Sequence, residues 1–453
     1  MTVDIIVAEI GSTTTKVNAF SDINSSNPLF LGHGQASTTV MEGDVNIGLQ
    51  NALARLAENI GEKKINYEKM AGTSSAAGGL KMTVHGLVYD MTVKAAKEAA
   101  LGAGAILHMV TAGELRQTDL KKLKEIEPNI ILIAGGLDYG ERETAIKNAK
   151  RIKELELGIP VIYAGNCQNR EEIKQIFQNY RSKIYITENV YPKLDQLNIE
   201  PTRKIIQQVF EEHIVYAPGM TNIKQMIKNK IIPVPGAVMQ AAKTLYEEIG
   251  DLLVIDVGGA TTDVHSVTPG SDKIARILIN PEPTAKRTVE GDLGMYINMY
   301  NIIEKIGLSK LKSELNFNPQ PVIQNMRPIP VTEYEIILIE KLCKEAVLTA
   351  LKRHAGIKKF LYGSSGRQVF AEGKDLTQIK YIIGTGGALS NLPKRVEILE
   401  QIAVNCNAIQ LYPTRDAKIL IDRSYIMSSL GVLAFEYPES ANKLMKQSLG
   451  LQI

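Results

Sequence analysis

The chain has 453 residues, 44% of them hydrophobic and 22% charged, with 52 Lys and Arg against 49 Asp and Glu. At roughly 150 residues per domain this is material for two to four globular domains, and the near balance of charge gives no ground for nucleic-acid or membrane-surface binding. Cys167, Cys343 and Cys406 lie too far apart for a disulfide frame or a zinc site, acids rather than a basic leader open the chain, and no apolar run is long enough to span a bilayer; the expected location is cytoplasmic, with reduced thiols.

The first element is IIVAEIGSTTTKVNAF (5–20). An apolar strand ends at Glu9, turns at Gly11, passes the hydroxyl residues Ser12, Thr13, Thr14 and Thr15, and returns through Lys16 as a second strand. Small residues of this kind either only turn a hairpin or cradle a phosphate with backbone N–H groups and hydroxyls, while the acid manages a cation. Next, AGTSSAAGGLKMTVHGLV (71–88) is rich in small residues and then β-like, and TVKAAKEAALGAG (92–104) is a helix that closes at glycine. From 128 to 190 buried-strand patterns (PNIILIAGG, IPVIYAGN, KIYITENV) alternate with helical ones, with Asn169 as an expected N-cap. This alternation predicts a small parallel-sheet domain. Its glycines match no dinucleotide fingerprint, leaving a structural role or a partner-binding surface.

After a helix at 235–250 comes LLVIDVGGATTDVHSV (252–267), which aligns position by position with 5–20. Asp256 falls on Glu9, Gly258 on Gly11, Gly259 on Ser12, Thr261 and Thr262 on Thr14 and Thr15, and Asp263 on Lys16. Internal repetition over sixteen positions is informative because it marks one structural unit used twice. Four prolines between 316 and 333 mark an irregular connection. A long helix follows at 331–356, then a third strand-to-glycine turn, IKYIIGTGGALS (379–390), with Gly384, Gly386 and Gly387, and a last helix within 423–437.

Two facing hairpins with acids at their bases would hold a triphosphate through Gly11, Ser12, Thr13, Thr14, Thr15, Gly258, Gly259, Thr261 and Thr262, with Lys16 adding positive charge. Asp256, Glu9 and Asp263 are the candidate Mg²⁺ carboxylates, acting through water because Mg²⁺ keeps several of its waters. Gly384, Gly386 and Gly387 would lie under the nucleoside. Asp256 and Glu9 are the candidate catalytic residues. No Walker loop, GxGxxG fingerprint or HExxH site is present. His265 and the GSSGRQ turn (363–368) read as structural.

The trio of turns resembles the first phosphate, second phosphate and adenosine motifs of the ATPase superfamily of actin, Hsp70 chaperones and sugar kinases. That resemblance implies a two-lobed α/β fold with duplicated β-hairpin phosphate motifs and an inserted small parallel α/β domain. It implies a first lobe at 1–110, an insert at 111–225 and a second lobe at 226–453, with connecting helices at 235–250 and 423–437. Over nearly the whole length, SSAAGGLKMTVHGLV, IAGGLDYGERE, PVIYAGN, ENVYPKLDQLNIEP, RTVEGDLGM and GTGGALS resemble the glutamate mutase accessory family, sometimes called MutL, a name shared by accident with a mismatch-repair protein. The likeness implies an ATP- and Mg²⁺-dependent reactivating chaperone that helps an adenosylcobalamin-dependent aminomutase eject damaged cobalamin. Its partners would be mutase subunits, with the need for a small accessory subunit open, and neither nucleic acid nor membrane. Glu290, Gly291 and Asp292 read either as a nucleotide contact or as a turn between lobes. The superfamily commonly has aspartate where this chain has Glu9, which moves the carboxylate outward by about 1.5 Å and puts water positioning for hydrolysis in question. A small-molecule kinase of the same fold is the alternative function. An actin-like polymer is a further one, and an iron–sulfur activator is disfavoured by the dispersed cysteines.

Overall fold

The computed structural model describes residues 2–11, 14–39, 45–74, 80–103, 105–213, 227, 231–363, 366–404 and 409–452. Ser12, Thr13 and Cys406 lie outside the described residues. The chain opens with an antiparallel meander of β1 (Thr2–Ile10), β2 (Thr14–Ser21) and β3 (Leu29–Ser37), and β4 (Asn66–Ser74) lies parallel to β1. β1 is a run of aliphatic side chains because both faces of its sheet are covered.

β5 (Leu80–Gly86), β6 (Ala105–Ala112), β7 (Ile130–Ile133), β8 (Val161–Tyr163) and β9 (Ile184–Ile186) then build a separate sheet of order β6-β5-β7-β8-β9, parallel throughout. Its two faces carry separate apolar clusters, as expected for an alternating α/β unit. Leu80–Gly86 and all but the last two residues of Ala105–Ala112, which the expected division at 110 put with the first lobe, hydrogen-bond into this sheet. The helix at Arg170–Ile176 takes no cap from the side chain of Asn169; Asn166 instead accepts from the N–H of Gln168 and caps the short turn ahead of it. Asn169 is occupied with Arg142, accepting from Nε at 3.0 Å and donating to its carbonyl at 2.9 Å.

The chain returns to the first sheet with β10 (Ile231–Pro233), parallel to β4, giving the order β10-β4-β1-β2-β3. The second half repeats this plan. β11 (Leu252–Val257), β12 (Thr262–Val267) and β13 (Ala285–Glu290) form an antiparallel meander. β14 (Ile357–Gly363) and β15 (Gly366–Glu372) make a two-stranded antiparallel excursion ending at the pair Gly363 and Gly366, and Ser364 and Ser365 of GSSGRQ lie outside the described residues. β16 (Tyr381–Thr385) runs parallel to β11 and β17 (Lys418–Ile421) parallel to β16, for the order β13-β12-β11-β16-β17. Strand order and directions thus coincide in the two sheets, as a two-lobed α/β fold of actin-like type requires.

Between the sheets lie the helices Val234–Ile249 and Met427–Leu433, in one apolar cluster with Ile5 and Val7 of β1, Val254 of β11 and Ile383 of β16. They approach so closely that a Cβ on Gly431 would collide with the carbonyl of Ala237. The inserted unit meets the second lobe at β13 mainly through charge. Lys94 pairs with Glu282 at 2.6 Å, Lys286 with Glu98 at 3.6 Å, and Arg203 donates to the carbonyl of Ala285 at 2.8 Å.

Candidate functional site

The two glycine turns close in the same way. Gly11 N–H donates to the carbonyl of Thr14 at 2.9 Å, and Gly258 N–H to that of Thr261 at 2.9 Å. Register agrees too: Glu9 lies opposite Lys16 across β1 and β2, and Asp256 opposite Asp263 across β11 and β12. Alternation along a strand therefore sets each acid on one face with its cross-strand partner, at the end of its hairpin.

Within the first hairpin Lys16 is buried, with Nζ 3.5 Å from Glu9 Oε2. The ammonium stands 3.2 Å above the ring centroid of Tyr425 and donates to that residue's carbonyl. A cation desolvated in this manner gains from the ring quadrupole. The hydroxyl of Ser428 donates to Glu9, so the longer glutamate side chain is anchored by the segment crossing between lobes. Thr14 is partly buried. The Thr15 hydroxyl pairs with that of Thr38 at 2.9 Å, which turns it away from the cleft.

On the other side Asp256 is only partly exposed. Enclosure, then repulsion from Asp263 and Glu9, pushes its carboxyl up to about 8, against the opposing pull of Arg287 and Lys16. Glu9 and Asp256, from different lobes, thus share one electrostatic environment. Asp263 is buried and ion-paired to Arg287 at 3.1 Å; burial raises its carboxyl while the guanidinium resists. The hydroxyl of Thr261 reaches Asp263 at 3.5 Å. The carbonyl of Gly259 accepts from the N–H groups of Tyr296 (2.9 Å) and Ile297 (2.8 Å), and the hydroxyl of Thr262 is spent on the carbonyl of Leu293 at 2.6 Å. The second hairpin is therefore braced from behind by residues 293–298.

The third turn sits against the second hairpin. Gly386 has φ +85°, and a Cβ there would collide with Asp256 Oδ1 and come within 2.6 Å of the Val257 carbonyl, whereas one on Gly387 would meet nothing within 4 Å. Gly384 accepts from the N–H of Asp422 at 2.9 Å. Glu290 and Asp292 are both gripped by Arg353, at 2.6 Å each, which holds Asp292 below the usual carboxylate range while burial lifts Glu290. Gly291 lies between them and accepts from Asn298 at 2.8 Å. His265 is buried in β12 with no partner for either ring nitrogen, and its pKa is driven well down by that burial and by Arg287.

Four further residues belong to this constellation. Asp422 accepts from Thr385 (2.9 Å), Met427 N–H (2.9 Å), Ile426 N–H (3.2 Å) and Ser448 (2.6 Å), tying the third turn to the start of the crossing helix. Tyr425, at φ +51°, lies among Glu9, Asp256 and Asp422. Ser428 and Arg287 complete the set. The only sequence signal for Asp422, Tyr425 and Ser428 is DRSYIMSS (422–429) between a strand and a helix, which names no chemistry by itself, and Arg287 stands in β13 without a motif of its own.

Could the residues hold a nucleotide with its cation? Among the described residues no three His, Cys, Asp or Glu side chains form a direct metal site. A pair of acids from opposite lobes, with one carboxyl raised by mutual repulsion, suits a divalent cation held through water, which would relieve that repulsion.

A curated relative, Protein MutL of Clostridium tetanomorphum, is 38% identical over 460 residues, covering 98% of each chain. Among solved structures the chain is similar to nucleotide-free acetone carboxylase (11% identity, 95% of this chain and 70% of that one, TM-score 0.41). It is also similar to nucleotide-free diol dehydratase-reactivating factor (11% identity, 96% and 100%, TM-score 0.38). The family model described as MutL protein matches residues 5–449, and with that match the chain belongs to the MutL family, the glutamate mutase-associated one.

Proposed function

We propose that this chain is an ATP- and Mg²⁺-dependent reactivating chaperone for an adenosylcobalamin-dependent aminomutase of the glutamate mutase kind, acting in the cytoplasm to promote release of damaged cobalamin. Membership of the MutL family supports the role. The observation that carries the nucleotide site is the convergence of two hairpins of identical register, one from each lobe, with the third glycine turn seated on Asp256.

A nucleotide bound between the hairpins would supply negative charge and, with its cation, a reason for the two lobes to draw together. The chain's own residues do the rest. The turns that begin at Gly11 and Gly258 would receive phosphate oxygens, and Glu9 and Asp256 would hold the cation through its waters. Lys16, fixed by Tyr425, offsets negative charge on the first-lobe side. Asp256 would hold a water in position for hydrolysis, the element of such a site most sensitive to displacement. The two helices crossing at Gly431 and Ala237 are the elements between the lobes, so lobe closure must be expressed there. Nucleotide state would then shift the chain between forms of different affinity for the mutase.

The test mixes the chain with a cobalamin-inactivated aminomutase and its subunits, with and without ATP and Mg²⁺. Release of damaged cobalamin only with both is expected. Accumulation of a phosphorylated small acid or sugar, with no release, would replace the reading by a kinase. The same assay with the chain alone reveals whether a small accessory subunit is required. Asp256→Ala is expected to abolish hydrolysis in a folded chain, and unchanged turnover would refute the site.

A further inference from the structure

Among the described residues the largest fully buried side chain is that of Arg287, and it is not part of any hairpin turn. It stands on β13 two positions from Val289, the residue opposite Asp263, so Arg287, Asp263 and Asp256 occupy one face of the sheet. One arm of the guanidinium reaches Asp263 at 3.1 Å. The other leaves the lobe: Nη1 donates to the carbonyls of Leu101 (2.9 Å) and Ala105 (3.4 Å). These carbonyls end the helix Lys94–Gly102 and begin β6, both part of the inserted unit and its core. Nε is buried without a partner.

We propose that Arg287 is a positioning residue that couples occupation of the cleft to placement of the inserted domain. The inference rests on the nucleotide-binding reading of the cleft and adds to it a route out of the site. Its physical basis is the negative field of Asp263 and Asp256, on one face of the sheet, acting on one guanidinium. A buried ion pair depends on both members, because either one left alone keeps its full desolvation cost. A cation beside Asp256 weakens the negative field that holds the guanidinium against Asp263. The guanidinium can then shift its bonds toward the carbonyls of Leu101 and Ala105, with the unpartnered Nε as spare donor capacity. The surrounding contact suits rearrangement, since Lys94, Glu98, Arg203, Glu282 and Lys286 meet there as ion pairs and hydrogen bonds. Discrete polar contacts of this kind have alternative arrangements, unlike a close-packed apolar seam. Only arginine has the planar fork for a carboxylate on one arm and two carbonyls on the other.

Coupling is reciprocal: whatever holds the inserted domain in one placement, a bound mutase included, changes affinity for nucleotide by the same factor.

Hydrogen exchange of residues 94–112 in the full chain tests this, with and without saturating MgADP or a non-hydrolysable MgATP analogue. In the unaltered chain nucleotide is expected to change exchange in this segment by about tenfold. Arg287→Lys, which keeps the charge and loses the fork, should reduce the response to less than about twofold, and so should the isosteric Asp263→Asn; the second variant stands in if the first does not fold. Arg203→Lys is the control. It touches the carbonyls of Glu98 and Ala285 and no cleft residue, so it should raise basal exchange while leaving the nucleotide response intact. A full response in Arg287→Lys or Asp263→Asn, or loss of response in all three variants alike, would overturn the coupling. Nucleotide binding without any change at 94–112 in the unaltered chain overturns the coupling alone, while absence of nucleotide binding overturns the function on which it rests.

Discussion

Two neighbouring glycines offer a sharp internal comparison. Gly386 holds φ +85°, and a methyl group there would collide with Asp256 Oδ1 and lie 2.6 Å from the Val257 carbonyl and 2.7 Å from its nitrogen. Gly387 has open space at the same position. For Gly386→Ala the left-handed backbone costs about 1–2 kcal/mol, and forcing a methyl against fixed backbone adds about 1–3 kcal/mol. A central figure is about 3 kcal/mol, which at about 2–4 °C per kcal/mol for a lobe of this size lowers the melting temperature by about 6–12 °C. Gly387→Ala should stay within about 0.5 kcal/mol, as for a surface substitution. Differential scanning calorimetry reads both. Because the strain falls on Asp256, isothermal titration with MgADP should also show weakened binding for Gly386→Ala. Equal melting behaviour of the two variants would refute the close seating of the third turn on Asp256.

The remaining expectations concern charge. The Asp256 carboxyl is raised to about 8, above its value of about 4 in the unfolded chain. Between these values the folded state binds the extra proton, so its stability falls as pH rises through about 4 to 8. Melting temperatures of the nucleotide-free chain should decline over that window, and Asp256→Asn should flatten the decline; an unchanged slope would show that repulsion at Asp256 is not its source. Asp422→Asn replaces one acceptor oxygen by an amide donor facing groups that already donate, at a cost of about 1–3 kcal/mol, measurable as a lower melting temperature. No loss would show that this carboxylate is not the tie between the third turn and the crossing helix.

How much of this was legible in the sequence? Both hairpins were, because a strand, an acid and a glycine turn are local and their repetition supplies its own control. Strand alternation also marked TVHGLV and the strands at 128–190. It could not say which sheet Leu80–Gly86 joins, since pairing is decided by partners distant in sequence. The same limit hid Asp422, Tyr425, Ser428 and Arg287. Ser428 meets Glu9 across 419 positions, and Arg287 reads as an ordinary polar residue until its burial against Asp263 and Leu101 is known. Side-chain direction was the other blind spot: the hydroxyls of Thr15 and Thr262, read as phosphate ligands, are engaged by Thr38 and Leu293.

The matched sheets carry one more consequence. In the second half, the path from β16 to β17 is made of the proposed nucleoside turn and two helices, Gly386–Asn391 and Arg395–Val404. In the first half the equivalent path, from β4 to β10, carries the whole inserted domain. A doubled scaffold owns two such crossovers but needs only one to seat a nucleoside. The other is the crossover that carries the inserted domain. In this chain, symmetry of architecture became division of labour.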